Sequence, residues 1–184
     1  MEILLLITGS ISAYKTPSIA NALTKQGHNV KIVATKSALK FIGKLSFTAQ
    51  GYELFEDNDE YNTNSVLHID LITWADIVLI APMSANTLSK IANGITDNLL
   101  TSILRAFPYE KSKEKKMIFA PAMNTDMYMH PITNEQIEKI EGWFDKSEVN
   151  DRFLVVQPVE KKLACGVVGK GALASIGSIL KAIE

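Results

Sequence analysis

The sequence predicts an α/β three-layer sandwich, a mostly parallel sheet covered on both faces by helices. Short apolar runs at 3–8, 29–34, 76–81, 117–120 and 153–157 alternate with stretches of helical periodicity. The runs are almost wholly apolar, as strands buried on both faces of a parallel sheet must be. Gly, Pro and hydroxyl residues bound them, and each intervening segment is long enough for a crossover helix.

The first run is read as a strand over 3–8. It feeds Gly9-Ser10-Ile11-Ser12 and a helix reaching about Gln26, with Pro17 tolerated in the first turn and Gly27 ending it. The second strand, 29–34, ends in Thr35-Lys36-Ser37 and is followed by a brief helix over 38–42. Residues 51–65 carry acids and asparagines without periodicity, so a surface loop is expected there. A helix over 66–75 carries His68 and leads into the central strand, 76–81. Beyond that strand come the polar loop Pro82-Met83-Ser84-Ala85-Asn86-Thr87, a helix over 85–92, Gly94 as a break, and a helix over 97–107 begun by Thr96 or Asp97. The basic stretch 111–116 is read as a solvated turn. The fourth strand, 117–120, opens a second polar loop, 121–131, before a helix over 132–140. A fifth strand, 153–157, leads through a glycine-spaced flap, 158–171, to a closing helix over 174–183. The pattern is flavodoxin-like or Rossmann-like, and polar loops recur at strand carboxyl ends, where such sheets bind ligands.

At 184 residues the chain suits a single domain spanning 1–184. A hydrophobic content of 47%, a charged content of 21% and a net charge of −1 exclude a basic field for nucleic acid or an acidic membrane. A small molecule or another subunit is the expected partner. The apolar N-terminus is too short for a signal or membrane helix and lacks a basic leader, so a cytoplasmic protein is expected. The lone Cys165 has no disulfide partner and no cysteine cluster for zinc, and no metal site is expected.

Gly9-Ser10-Ile11-Ser12 by itself suits either a tight turn or a phosphate site. A dinucleotide fingerprint would need three glycines and an acid after the second strand; one glycine and Thr35-Lys36-Ser37 stand there instead. NAD is therefore disfavoured, the Walker pattern is missing, and the hydroxyls with Lys36 and Ser37 suit a mononucleotide such as FMN. Of the histidines, His28 follows a turn glycine and is expected in solvent, while His130 before Pro131 either caps a helix or lines the site. His68 stands near the polar loop with a side chain suited to proton transfer. Met123, Met127 and Met129 are soft filler or site lining. Asn86 and Asn124 lie on loops after buried strands, where an amide can donate and accept. Cys165, within a glycine-spaced segment, is either an inert buried thiol or a proton donor on a mobile loop; the glycine density favours the second.

Taken together, His68 to Leu71 (H-I-D-L), Pro82 to Thr87 (P-M-S-A-N-T), Pro121 to Tyr128 (P-A-M-N-T-D-M-Y) and Ala164 to Gly171 (A-C-G-V-V-G-K-G) resemble the flavin-dependent cysteine decarboxylases. The chain is most similar to the branch acting on 4'-phosphopantothenoylcysteine in coenzyme A biosynthesis, and the motifs match in order over nearly the whole chain. The resemblance implies FMN bound by Gly9, Ser10, Ser12, Ser37, Ser84, Asn86 and Thr87. It implies that His68 acts at the substrate's cysteine moiety, that Asn124 binds the departing carboxylate, and that Cys165 returns a proton. Met123, Met127, Ala164, Gly166 and Lys170 would contact substrate. It further implies a redox-neutral cycle, in which thiol oxidation to a thioaldehyde permits loss of carbon dioxide and the enethiol is then reduced. A homotrimer, or a multiple of trimers, follows from the same likeness, with FMN near a subunit boundary. Tyr128 stands where the family pattern usually has tryptophan, and the flap continues Ala172-Leu173-Ala174-Ser175-Ile176 in place of an acid and proline. The chain ends soon after the flap, so the ligase of that route is expected to be a separate protein. A flavin-binding regulatory protein is the reading from another class, and a decarboxylase of peptide C-terminal cysteine is a neighbouring one. Retention of His68, Asn124 and Cys165 together disfavours a pure binding module. Cys165 in the flap disfavours a flavin prenyltransferase.

Overall fold

The computed structural model describes residues 1–61, 65–109, 115–144 and 152–184. Its frame is a six-stranded, all-parallel sheet of β1 (Glu2–Ile7), β2 (Asn29–Ala34), β3 (Leu54–Phe55), β4 (Ile77–Met83), β5 (Lys116–Pro121) and β6 (Phe153–Val155). Spatial order is β3-β2-β1-β4-β5-β6. That is the doubly wound order in which the chain reverses direction across the sheet between β1 and β4, and a crevice opens beyond their carboxyl ends. The expected Rossmann-like or flavodoxin-like class is observed, and the strand order selects the Rossmann form.

The apolar runs are buried on both faces because helices cover both. On β1, Leu4 and Leu6 join one core with Val78 and Ile80 of β4, while Ile3, Leu5 and Ile7 join the opposite core with Ile77, Leu79 and Ala81. The first face is covered by α3 (Leu67–Trp74), α5 (Leu99–Arg105) and neighbouring helices, the second by α1 (Thr16–Lys25) and α8 (Ile176–Lys181). Phe119 on β5 is fully buried and meets Phe153 edge-on with ring centroids 4.9 Å apart. Phe119→Ala is expected to cost about 3–5 kcal/mol through lost burial and the cavity left behind. Urea unfolding measures it; a cost below about 1 kcal/mol would contradict this packing.

Several local expectations change. Leu54–Phe55 pairs with Ile32 and Val33 as an edge strand inside the segment read as a loop, and Leu45–Thr48 forms a short helix, α2. The helix expected over 38–42 is a 3-10 turn, Ala38–Lys40. Asn98, not Thr96 or Asp97, caps α5, because its side chain accepts from Thr101 N–H and Thr101 Oγ1 accepts from Asn98 N–H in return. The second polar loop contains a helix, α6 (Thr125–Met129), before α7 (Pro131–Glu141). The flap is an antiparallel hairpin, β7 (Val159–Lys162) and β8 (Val168–Ala172). Most of the basic stretch, 111–114, lies outside the described residues. No helix among the described residues is long and apolar enough to cross a membrane.

Candidate functional site

Thr8, at the end of β1, joins the two central strands where the crevice opens. Its hydroxyl donates to Pro82 O at 2.7 Å and accepts from Ser84 N–H at 2.8 Å, and the residue is fully buried. Nothing in the sequence marked it, since its partners lie across the sheet. This brace sets the turn after β1 beside the loop after β4. A Cβ on Gly9 would lie 2.6 Å from Ser37 Cβ, so only glycine lets the β1 turn and the β2 loop approach so closely. Ser10 accepts from Ser12 N–H at 3.3 Å and starts a 3-10 turn. Ser84 caps α4 (Ala85–Ala92), accepting from Thr87 N–H and donating to Thr87 Oγ1, both at 3.3 Å.

These segments line a cavity of about 1010 Å³, on whose wall lie Gly9, Ser10, Ser12, Ser37, Ser84, Asn86 and Thr87. Met123, Asn124, Met127, Ala164 and Cys165 line it too. Asn124 caps α6 with its Oδ1, which accepts from Asp126 N–H at 2.8 Å. That bond turns the amide nitrogen toward the hairpin, where it donates to Cys165 Sγ at 3.5 Å. A free thiol and an amide donor from loops far apart in sequence thus meet on one wall. Cys165 is exposed rather than buried, which removes the inert-core reading.

The hairpin's glycines serve two purposes. Gly166, with φ +88°, makes the tip next to Cys165. At Gly169 a Cβ would strike the Thr125 side chain, and at Gly171 it would lie 2.4 Å from Met123 O, so β8 presses directly on the loop that carries Asn124. Met123 N–H donates to Gly171 O at 2.9 Å. The glycine spacing read as mobility therefore also permits close docking. Gly166 and Lys170 do not line the cavity; the Lys170 ammonium lies 5.4 Å from the Tyr128 ring centre, whose hydroxyl donates to Gln157 at 2.8 Å. Tyr128 uses the hydroxyl that a tryptophan would lack to tie α6 to the segment after β6, and burial pushes its phenol up.

His68 lies apart. It faces a second cavity of about 450 Å³, which adjoins the first through shared walls of Asp57, Asp97 and Asn98 but contains neither Asn124 nor Cys165. His130 caps α7 by accepting from Ile132 N–H at 3.2 Å, and it does not line the large cavity. His28 is half-buried, and its Nδ1 has no hydrogen-bond partner among the described residues.

Cations not singled out from the sequence also line the large cavity. Lys15, Lys161 and Lys162 join Lys36 there. Burial lowers the Lys15 ammonium below its usual range, and the neighbouring Lys161 pushes it the same way, so this wall favours an anion. Among the described residues no group of three or more His, Cys, Asp or Glu side chains could hold a metal.

A crevice at the β1–β4 switch point with a hydroxyl-rich turn, no acid after β2 and room for one mononucleotide defines a mononucleotide-binding α/β protein. Residues 1–184 match the family model described as Flavoprotein. The chain belongs to that flavoprotein family. It is 42% identical over 178 residues to phosphopantothenoylcysteine decarboxylase of Oryza sativa subsp. japonica, covering 94% of this chain and 74% of the relative. Among solved structures, a Cys-to-Ser mutant of PPC decarboxylase complexed with pantothenoylaminoethenethiol superposes with a TM-score of 0.87 and 38% identity, covering 99% of this chain and 95% of that one. The FMN binding protein AtHal3 superposes with a TM-score of 0.84 and 39% identity, covering 99% and 94%.

Proposed function

We propose that this protein is an FMN-dependent decarboxylase that converts 4'-phosphopantothenoylcysteine to 4'-phosphopantetheine in coenzyme A biosynthesis. The observation that carries the reading is the Asn124–Cys165 contact on the wall of a cavity whose remaining lining suits a mononucleotide. The likeness to a Cys-to-Ser mutant holding an ethenethiol supports a thiol acting after carbon dioxide has left.

FMN, when bound, supplies the electron sink that a cysteine carboxylate lacks and returns the electrons after decarboxylation. Gly9, Ser10, Ser12 and Ser37 would hold its phosphate and ribityl chain, with Ser84, Asn86 and Thr87 opposite them. The Asn124 amide donates to the substrate carboxylate, its orientation set by the cap it also makes. Cys165 returns a proton to carbon at the end. Met123, Met127 and Ala164 face the substrate, while Lys15 and Lys161 favour its phosphorylated form. His68 takes up a proton from the cysteine moiety.

The exposed residues beside His68 include Tyr61 at 85%, Val66 at 56% and Ile69 at 44% relative exposure. We infer a homotrimer, or a multiple of trimers, in which a neighbouring chain covers this apolar surface and completes the site with His68. Sedimentation equilibrium tests this, and a monomer at working concentration would remove it. A reducing cytoplasm keeps the exposed Cys165 thiol free.

The activity is tested by incubating FMN-loaded protein with phosphopantothenoylcysteine and following product mass. Loss of carbon dioxide is expected, and a peptide ending in cysteine should not compete. No mass loss from a loaded preparation would overturn the reading. Cofactor binding has its own test in Gly9→Val, whose side chain has no space beside Ser37. Flavin absorbance per protein should fall about tenfold or more, equivalent to at least ~1.4 kcal/mol of binding. Unchanged loading would move the phosphate site elsewhere.

A further inference from the structure

We propose that Glu60 is the positioning residue of His68, holding the Nδ1–H and thereby presenting Nε2 as the ring's basic atom. This rests on the reading above that His68 serves the reaction. His68 Nδ1 lies 2.8 Å from Glu60 Oε1, and the two side chains are only 27% and 15% exposed. An ionised carboxylate can only accept, so the neutral ring must carry its proton on Nδ1 and leave the Nε2 electron pair open.

The carboxylate is itself held in place. Glu60 stands on the 3-10 turn Asp57–Tyr61. Asp57 Oδ1 accepts from Leu99 N–H at 3.1 Å and anchors that turn to the start of α5, and Asp59 Oδ2 accepts from Glu56 N–H at 2.8 Å to close it. His68 lies in the first turn of α3, which fixes its backbone. Two rigid supports therefore bring the carboxylate and the ring together across the wall of one cavity. When Nε2 takes up a proton, Glu60 faces an imidazolium and the bond joins two opposite charges, as with the orienting carboxylate of other histidine bases. A carboxylate serving only to steady the loop would hold the same tautomer, but its removal would leave kcat unchanged.

The test reads the tautomer directly. Protein labelled with 15N-histidine is compared with Glu60→Leu, which keeps bulk but cannot accept, and with Glu60→Gln, which can. The three histidine signals are assigned through the loss caused by His68→Asn. Long-range 1H–15N spectra of the flavin-free and FMN-loaded protein should show His68 as the Nδ1–H tautomer, with a tautomer mixture in Glu60→Leu and partial restoration in Glu60→Gln. The Leu variant should lose roughly tenfold to hundredfold in kcat, with KM and flavin content unchanged. An Nε2–H ring in the native protein, or an unchanged ring in Glu60→Leu, would overturn the proposal. The native spectrum decides the matter even if a variant fails to fold. Full turnover by His68→Asn would instead remove the functional reading, an outcome separate from the ring's tautomer.

Discussion

His68→Asn is expected to abolish turnover of phosphopantothenoylcysteine while FMN stays bound at the native level. General acid–base transfer contributes about 10²–10⁴ in rate, and asparagine keeps the approximate size of the ring without a basic nitrogen to take up the proton. Flavin binding should not follow, because the hydroxyl turn, the β4 loop and Cys165 line one cavity and His68 lines the next. The variant should therefore be yellow and inactive, as read by absorbance and product mass on the same sample. A colourless variant would mean that His68 supports the cofactor; an active one would remove it from the chemistry. The division between cavities makes a second expectation. If a neighbouring chain supplies His68, oligomers reassembled from mixed His68→Asn and Cys165→Ser chains contain some intact sites and regain part of the native rate. No recovery from verified mixed oligomers would place both residues of a working site on one chain.

Cys165→Ser is expected to stop the reaction before the enethiol is reduced, because that step needs a proton as well as the returned electrons, so that the enethiol accumulates in place of the saturated thiol. In the proposed mechanism the steps up to loss of carbon dioxide call on the Asn124 amide, whose cap to Asp126 the substitution leaves intact. The proposed source of the final proton is the Cys165 thiol, and a serine hydroxyl is far less acidic than a thiol. Carbon dioxide release should fall to about one equivalent per flavin site, because no site is reset for another turnover. The retained product is lighter than 4'-phosphopantetheine by a pair of hydrogens, and mass spectrometry of denatured protein identifies it. Normal turnover, or a product of full mass, would show that the proton comes from elsewhere. The hairpin should keep its place in this variant, since the close docking at Gly169 and Gly171 and the Met123–Gly171 bond remain, and a serine oxygen can also accept from the Asn124 amide.

These two experiments address parts of the site that differ in how they could be read. The loop after β4 and the turn after β1 were legible because capping, glycine and hydroxyl chemistry act within a few residues of the chain. Ser84 caps α4 where the residue types say it should, and α4 spans Ala85–Ala92 as expected. Cys165 was singled out for the glycines around it, yet their reason is only half local. Gly166 is needed for its φ, whereas Gly169 and Gly171 are needed because Thr125 and Met123 stand against them. Glu60 was invisible as a partner of His68, lying in a segment without periodicity, and Thr8 was simply the last residue of a strand. Leu54–Phe55 went unread because a two-residue edge strand carries no period of its own and is made by pairing with β2.

By itself the sequence determined the α/β class, the order of the main strands and helices, the mononucleotide-type turn and the four motifs, because each depends on contacts within one strand or one helical turn. The tertiary structure alone decided the β3-β2-β1-β4-β5-β6 order, the hairpin at 159–172, the Asn124–Cys165 contact, and the placing of His68 in an adjoining cavity with Glu60. The strand order and the Asn124–Cys165 contact require residues distant in sequence to meet, as Thr8 meets Pro82 at a separation of 74, whereas the hairpin and the Glu60–His68 pair join nearby residues that no periodicity marks. Apolar strands in a parallel sheet are nearly interchangeable as strings of letters, and only the packing of both faces at once selects which lie side by side.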